Sequence, residues 1–145
     1  MDQNLVLRRA EITDLEIALK QLPDQIDVNE GLTHHYCDGL YGRELFMKAG
    51  AIWVGKIHKK ECILVMLSGK VAMVNAAIDE PPDIWFAPCV KISPAGTKRA
   101  LVILEDTVFL TVHPNPNNHR DVPPLEEELI AKDFQEFDRL LEYKQ

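Results

Sequence analysis

Between residues 40 and 113 the chain is a succession of β-branched and aromatic runs, each four to eight residues long and each ended by a turn signal. Runs of this kind cannot form a helical bundle, because proline, glycine and polar clusters interrupt the pattern before a helix could complete three turns. Strands are expected at 41–47, 51–57, 62–68, 70–75, 83–86, 89–93, 100–105 and 107–113. The turns between them are assigned to 48–50, Ser68 with Gly69, Pro81 with Pro82, 94–96, and Glu105 with Asp106. Eight short strands at such intervals describe a sandwich or barrel. The chain is 145 residues long and 46% hydrophobic, enough for one domain to bury a core without disulfides or a structural metal.

The flanks read differently. Ile12, Leu15, Leu19 and Leu22 recur at three- and four-residue steps, which predicts a short amphipathic helix capped by Thr13 or Asp14 and stopped by Pro23. After the last strand comes HPNPNNHRDVPP, whose four prolines and three asparagines hold neither a ladder nor a helix. From Pro124 onward Leu125, Leu129, Phe134, Phe137, Leu140 and Leu141 trace a second apolar stripe, with a break near Asp133 where the spacing slips. The expected organisation is a helical extension over 1–31, a β-barrel over 32–113, a proline-rich connector over 114–123 and a C-terminal helix over 124–145.

With 23 acidic and 16 basic residues the net charge is -7, which argues against nucleic acid or an anionic membrane surface as the main partner. No apolar run approaches the roughly 20 residues needed to span a bilayer, and the first residues lack a leader's apolar stretch, so a cytoplasmic protein is expected. Cys37, Cys62 and Cys89 show no CxxC spacing, and reduced thiols follow from that assignment.

Two fragments carry the strongest local pattern. In GKIHKKECILVMLSGKVAMV, residues 55–74, one histidine enters a strand pair ahead of a glycine; SPAGTKRALVILEDTVFLTVH, residues 93–113, follows. Together they resemble the two motifs of the cupin superfamily, HxHxxxxE or HxHxxxE before a glycine turn and then PxGxxH. The resemblance implies a small jelly-roll barrel, an all-β fold, with a helix at each end. Aligned on Gly69, His58 stands at the second histidine of the first motif, Lys56 replaces the first histidine, and Cys62 replaces the glutamate. In the second motif Pro94 and Gly96 match, while Arg99 occupies the place of the last histidine. The stretch from THHYCDGLYGREL through GKIH and PAGTKR to EDTVFLTVH is also similar to a group of small phage and prophage proteins of cupin type. In that group a histidine is common at the positions of Cys62 and Leu104.

On one ideal straight strand His58 and Cys62 would share a face yet lie roughly 13 Å apart, which is long for a shared metal and for a thiol–imidazole dyad. If twist closes that gap, imidazole and thiolate favour zinc or another late first-row divalent metal, with a third ligand from His35, Glu44, His113 or Glu61. The ordinary alternative is a hydrogen-bonded His58 and a Cys62 packed as a small apolar side chain. His34, His35 and Cys37 form an HHxC cluster that reads as a polar loop before the first strand. His35 is its better candidate ligand on the resemblance, and Tyr36 and Tyr41 are rim packing. Arg99, Lys98, Arg43, Lys56 and Lys60 make a cationic density on the two motifs, suited to a carboxylate or phosphate, or else to surface pairing with Glu44, Glu61, Glu105 and Asp106.

The functional expectation is a binding protein that holds a small anionic or metal-chelating ligand in the barrel mouth, lined by His58, Cys62, Arg99, Lys56 and His113. A metal set of His58, Cys62 and His35 would instead make it a metal-dependent cupin enzyme of dioxygenase, isomerase or epimerase type. A third reading is a phage accessory protein that binds a host protein through its surface. Cupins commonly pair, and the two amphipathic stripes need cover, so a homodimer is expected.

Overall fold

A computed structural model describes residues 1–143. An N-terminal helix, α1 (Gln3–Lys20), and a 3₁₀ turn over Val28–Gly31 precede the strands β1 (Leu32–Cys37), β2 (Leu40–Met47), β3 (Ile52–Val54), β4 (Ile57–His58), β5 (Cys62–Ala76), β6 (Asp83–Phe86), β7 (Cys89–Ser93) and β8 (Arg99–Pro114). The chain ends in α2 (Val122–Leu129), the two-residue strand β9 (Ile130–Ala131) and α3 (Phe134–Tyr143). The expected all-β barrel with a helix at each end is the architecture observed. Residues 144 and 145 of the expected C-terminal helix lie outside the described residues.

Two long strands organise everything else. Ser68 with Gly69, and Glu105 with Asp106, were expected to be turns between separate strands; instead each lies inside one continuous strand, β5 or β8. The strands pair with each other antiparallel from Ile63 opposite Val112 to Ala76 opposite Arg99, with register shifts clustered around Ser68 and Lys70. Bulges of this kind bend a strand sharply, so the pair folds over on itself and belongs to two sheets. One sheet runs β1-β2-β8-β5-β7 through the half of β8 that follows Thr107. The other runs β3-β8-β5-β6 through the half that precedes Glu105. Gly69 sits at the corner with φ +99°, and a Cβ there would run into Thr107 Oγ1 and the Asp106 carbonyl. Glycine and an acidic pair are turn signals because they tolerate tight backbone, and a corner makes the same demand as a turn.

The inward faces follow the pleat. Leu45, Met47, Leu64, Met66, Val71, Met73, Trp85, Leu101, Ile103 and Phe109 meet between the sheets as the main core. The helices pack on this barrel rather than away from it. Ile12 of α1 is buried against Ala77 and Ala100, Leu125 and Leu129 of α2 against Tyr41, and Phe137 of α3 against Ile57 and Ala131. Each amphipathic stripe therefore finds partial cover within the chain, while Leu22 and Leu141 stay exposed. α1 starts at Gln3, well before the expected cap at Thr13 or Asp14, its N-terminus capped by Asp2, whose Oδ1 accepts from Asn4 N at 2.9 Å. Thr13 lies mid-helix and bonds back to Arg9 O, while Asp14 lies within the same helix. The break near Asp133 is real: α2 ends at Leu129 and α3 starts at Phe134, and β9 pairs with β4 in between. No helix among the described residues is long and apolar enough to cross a membrane.

Candidate functional site: a cationic cavity inside the barrel

Between the two sheets, at the end away from the Gly69 corner, lies a cavity of about 280 Å³. Its wall on β2 is the alternating set Tyr41, Arg43, Leu45 and Met47, and β8 contributes Leu101, Phe109, Thr111 and His113. Residues of α2, Leu125 and Leu129 among them, close one side. The register places polar residues together: His34 and Thr111 stand opposite Arg43, and Tyr36 and His113 opposite Tyr41. One rung further along, Leu32 and Phe109 stand opposite Leu45. The cavity therefore has a polar end and an apolar end, set by two-residue steps along the same strands.

The polar end is a chain of rings. Tyr36, Tyr41 and His113 stack at centroid distances of 5.6 and 5.8 Å, and the edge of His58 meets His113 at 5.8 Å. His34 Nδ1 lies 2.7 Å from the Tyr41 hydroxyl, and His113 Nε2 lies 2.8 Å from Thr111 Oγ1. Two of the imidazoles, His58 and His113, are held neutral. Burial, with Arg99 and Arg43 nearby, pushes His58 down to about 4; burial, with His58 and Arg43, does the same for His113. Burial also raises the Tyr41 phenol to about 12.

His58 and Cys62 are adjacent, contrary to the straight-strand estimate. β4 ends at His58 and β5 begins at Cys62, so the bend between them brings Cys62 Sγ to 3.3 Å from His58 Nδ1. The proximity does not make a nucleophile. Burial raises the Cys62 thiol to about 11, outweighing Arg99 and the Ser93 hydroxyl, which act to lower it. His58 itself is clamped by its backbone: its N–H donates to Thr97 O, and its carbonyl accepts from Gly96 N at 2.7 Å.

Arg99 and Arg43 both line the cavity but differ in their partners. Arg99 is 6% exposed, bonds Glu80 through Nε at 2.6 Å and Nη2 at 3.2 Å, reaches Ser93 Oγ at 2.8 Å, and lies over the Trp85 ring. Lys98 is likewise buried and paired, with Glu16 of α1 at 2.8 Å. For the Arg43 guanidinium no hydrogen bond or ion pair occurs among the described residues; only its backbone carbonyl accepts, from Thr111 Oγ1 at 3.5 Å. Burial pushes Arg43 below the usual guanidinium value, outweighing Tyr41 and Glu126, which act to raise it. Lys56 is exposed and forms part of the rim.

The sequence-predicted residues thus divide. His58, Arg99, His113 and Lys56 line one cavity, with Cys62 directly behind His58. His35 does not join them. The HHxC segment is not a loop but β1, and its alternation turns His34 and Tyr36 inward while His35 points outward, 53% exposed and 3.1 Å from Glu44 Oε1. Strand parity would have identified His34 had the segment been read as a strand. Trp53 and Trp85, which also line the cavity, carried no motif signal.

A divalent metal does not fit this donor set. Among the described residues no group of three or more His, Cys, Asp or Glu side chains is placed to hold one. The adjacent pair, His58 and Cys62, has no third donor placed beside it among the described residues, and both Arg99 and Arg43 act on His58. Positive charge in that position repels a cation and attracts an anion.

No family model matches the chain, and no curated protein does. Similar solved structures include a protein of Neisseria meningitidis (9% identity, TM-score 0.48, covering 70% of this chain and 95% of that one). An RmlC-like cupin of Methanocaldococcus jannaschii with a double-stranded β-helix fold is similar at 12% identity and TM-score 0.46, covering 66% and 95%. The DMSP lyase DddQ of Ruegeria pomeroyi is similar at 15% identity and TM-score 0.49, covering 71% and 56%. What defines the class here is the chain's own strand pairing, a jelly-roll barrel around a cavity of ligand size. No ligand or reaction is carried over from these neighbours.

Proposed function

We propose that the chain is a small-molecule binding protein of cupin type whose barrel takes a small organic anion. The observation that carries this reading is Arg43: a half-buried arginine lining a cavity, whose guanidinium has no hydrogen bond or ion pair among the described residues, with the exposed Glu126 of α2 acting on it only at longer range. Removing a charge from water is expensive unless it is paired and hydrogen-bonded, and a bound anion supplies both. The rest of the chain is acidic, so the cavity is a local reversal of sign that selects against cations. A catalytic reading has less support, since burial keeps the Cys62 thiol protonated beside His58 and no group of metal ligands is placed together among the described residues.

Native mass spectrometry of protein purified without added carboxylates or phosphates tests the proposal without assuming a ligand. The expected result is a small copurifying acid that is absent from Arg43→Met. An adduct retained by Arg43→Met, or one that proves to be a metal ion, would contradict it.

A further inference from the structure

Three features of the cavity narrow the chemistry of its anion, and they build on the reading just given. The first is a charge inventory. Of the cations lining the cavity, Lys98 and Arg99 are already matched by Glu16 and Glu80, and Lys56 is exposed at the rim. Arg43 remains, half-buried and unpaired, and the exposed Glu126 of α2 is the one carboxylate of the same lining among the described residues. A dianion would carry excess negative charge into a wall that is otherwise largely apolar.

The second feature is an orphaned donor. Trp53 Nε1 is buried and has no hydrogen-bond partner among the described residues. Native interiors rarely leave a buried N–H unmatched, and those that do invite a specific explanation. Trp53 lines the same cavity as Arg43, and both also line a second cavity of about 460 Å³ beneath the end of α1. The two side chains therefore belong to the wall between the cavities. The third feature is size and lining. Leu45, Met47, Leu64, Leu101 and Phe109 make the far end apolar, and its 280 Å³ compares with the roughly 150 Å³ of an engineered apolar cavity that takes benzene.

We propose that Arg43 and Trp53 together form a carboxylate site, and that the ligand is an organic monocarboxylate bearing one ring or a short branched chain. The carboxylate accepts from the guanidinium and, once the indole turns its shielded N–H into the cavity, from Trp53 Nε1, which gives both unmatched donors a partner. Its hydrocarbon body fills the apolar end. A carboxylate has acceptor sites enough for a forked guanidinium contact and one further donor.

The test titrates the intact protein with 3-phenylpropanoate, phenyl phosphate and 3-phenylpropan-1-ol, following the fluorescence of its two tryptophans, Trp53 and Trp85. The variants are Arg43→Met and Trp53→Phe, each checked by thermal melting. The expected result is saturable binding of the carboxylate, with the phosphate and the alcohol weaker by about tenfold or more. Arg43→Met should weaken the carboxylate by about ten- to a hundredfold, and Trp53→Phe, read through Trp85, by about two- to tenfold. Tighter, Arg43-dependent binding of phenyl phosphate overturns this inference while leaving the anion reading intact. An alcohol that binds as well as the acid, or no binding of any of the three, overturns both. Unchanged affinity in Trp53→Phe removes Trp53 from the site, and the wild-type ligand series decides the rest even if Arg43→Met does not fold.

Discussion

Arg99 and Arg43 approach one cavity from different sheets, and their surroundings assign them opposite roles. Arg99 begins β8 in the sheet with β3 and β6, and its guanidinium is matched by Glu80, Ser93 and the face of Trp85. Arg43 sits midway along β2 in the other sheet, opposite Thr111, and its guanidinium has no hydrogen bond or ion pair among the described residues, with Glu126 acting on it only at longer range. A buried cation with a full set of partners is part of the framework. One without them is available to a ligand, so the same residue type is structural on one wall and functional on the other.

The largest effect that would sharpen this contrast is on pH stability, because Arg43 helps to keep both imidazoles neutral and Arg99 helps to keep His58 so. His58 and His113 are each pushed down to about 4 from an ordinary 6.5. In both cases the unfolded chain binds the proton first. Stability should therefore be fully present above pH 6.5 and fall as the pH drops to about 4, by about 3 kcal/mol for each imidazole as an upper figure. Denaturant melts across that range check the sign, and the fall should be shallower in Arg43→Met. Stability that rose on acidification would contradict the buried, cation-flanked placement of both rings.

Arg99→Met and Arg43→Met separate the two walls more directly. The first strands Glu80 and Ser93 without their partner and should cost about 3 kcal/mol. The second removes an uncompensated charge and should be near neutral or stabilising, with all of its penalty appearing in ligand affinity. Equal destabilisation by the two would erase the distinction.

A smaller effect concerns Cys62. Arg99 acts to lower its thiol but is outweighed by burial, so in the folded protein Cys62 should resist thiol reagents while exposed Cys37 reacts. After denaturation all three cysteines should titrate without prior reduction. Modification of native Cys62 as fast as Cys37 would show an activated thiol and reopen nucleophilic chemistry with His58.

Much of the barrel was legible in the sequence because strand runs and turn signals are local. The segments 83–86 and 89–93 are β6 and β7 as predicted. What local patterns could not supply was whether a tight point reverses the chain or only bends it. At Gly69 the backbone turns a corner inside β5, and the pairing with β8 that shows this is nearly 40 residues away in sequence. The same limit governed the site. His58 and Cys62 were judged distant on a straight strand, whereas two short strands meeting at a bend place them in contact. His35 is favoured over His34 by the resemblance alone, whereas one step of parity along β1 decides that His34 faces inward. Arg99 drew notice through a motif position, but only tertiary structure reveals that Glu80 pairs with it and that Arg43 has no such partner.

The central claim, that Arg43 rather than Arg99 receives the ligand, is tested most directly by a crystal structure with 3-(4-bromophenyl)propanoate, whose bromine marks the ring by anomalous scattering. The account predicts the carboxylate within hydrogen-bond distance of the Arg43 guanidinium, the bromine toward Leu45, Leu101 and Phe109, and the Arg99–Glu80 pair undisturbed. A carboxylate seated on Arg99 with Glu80 displaced, or a bromine outside the barrel, would contradict it.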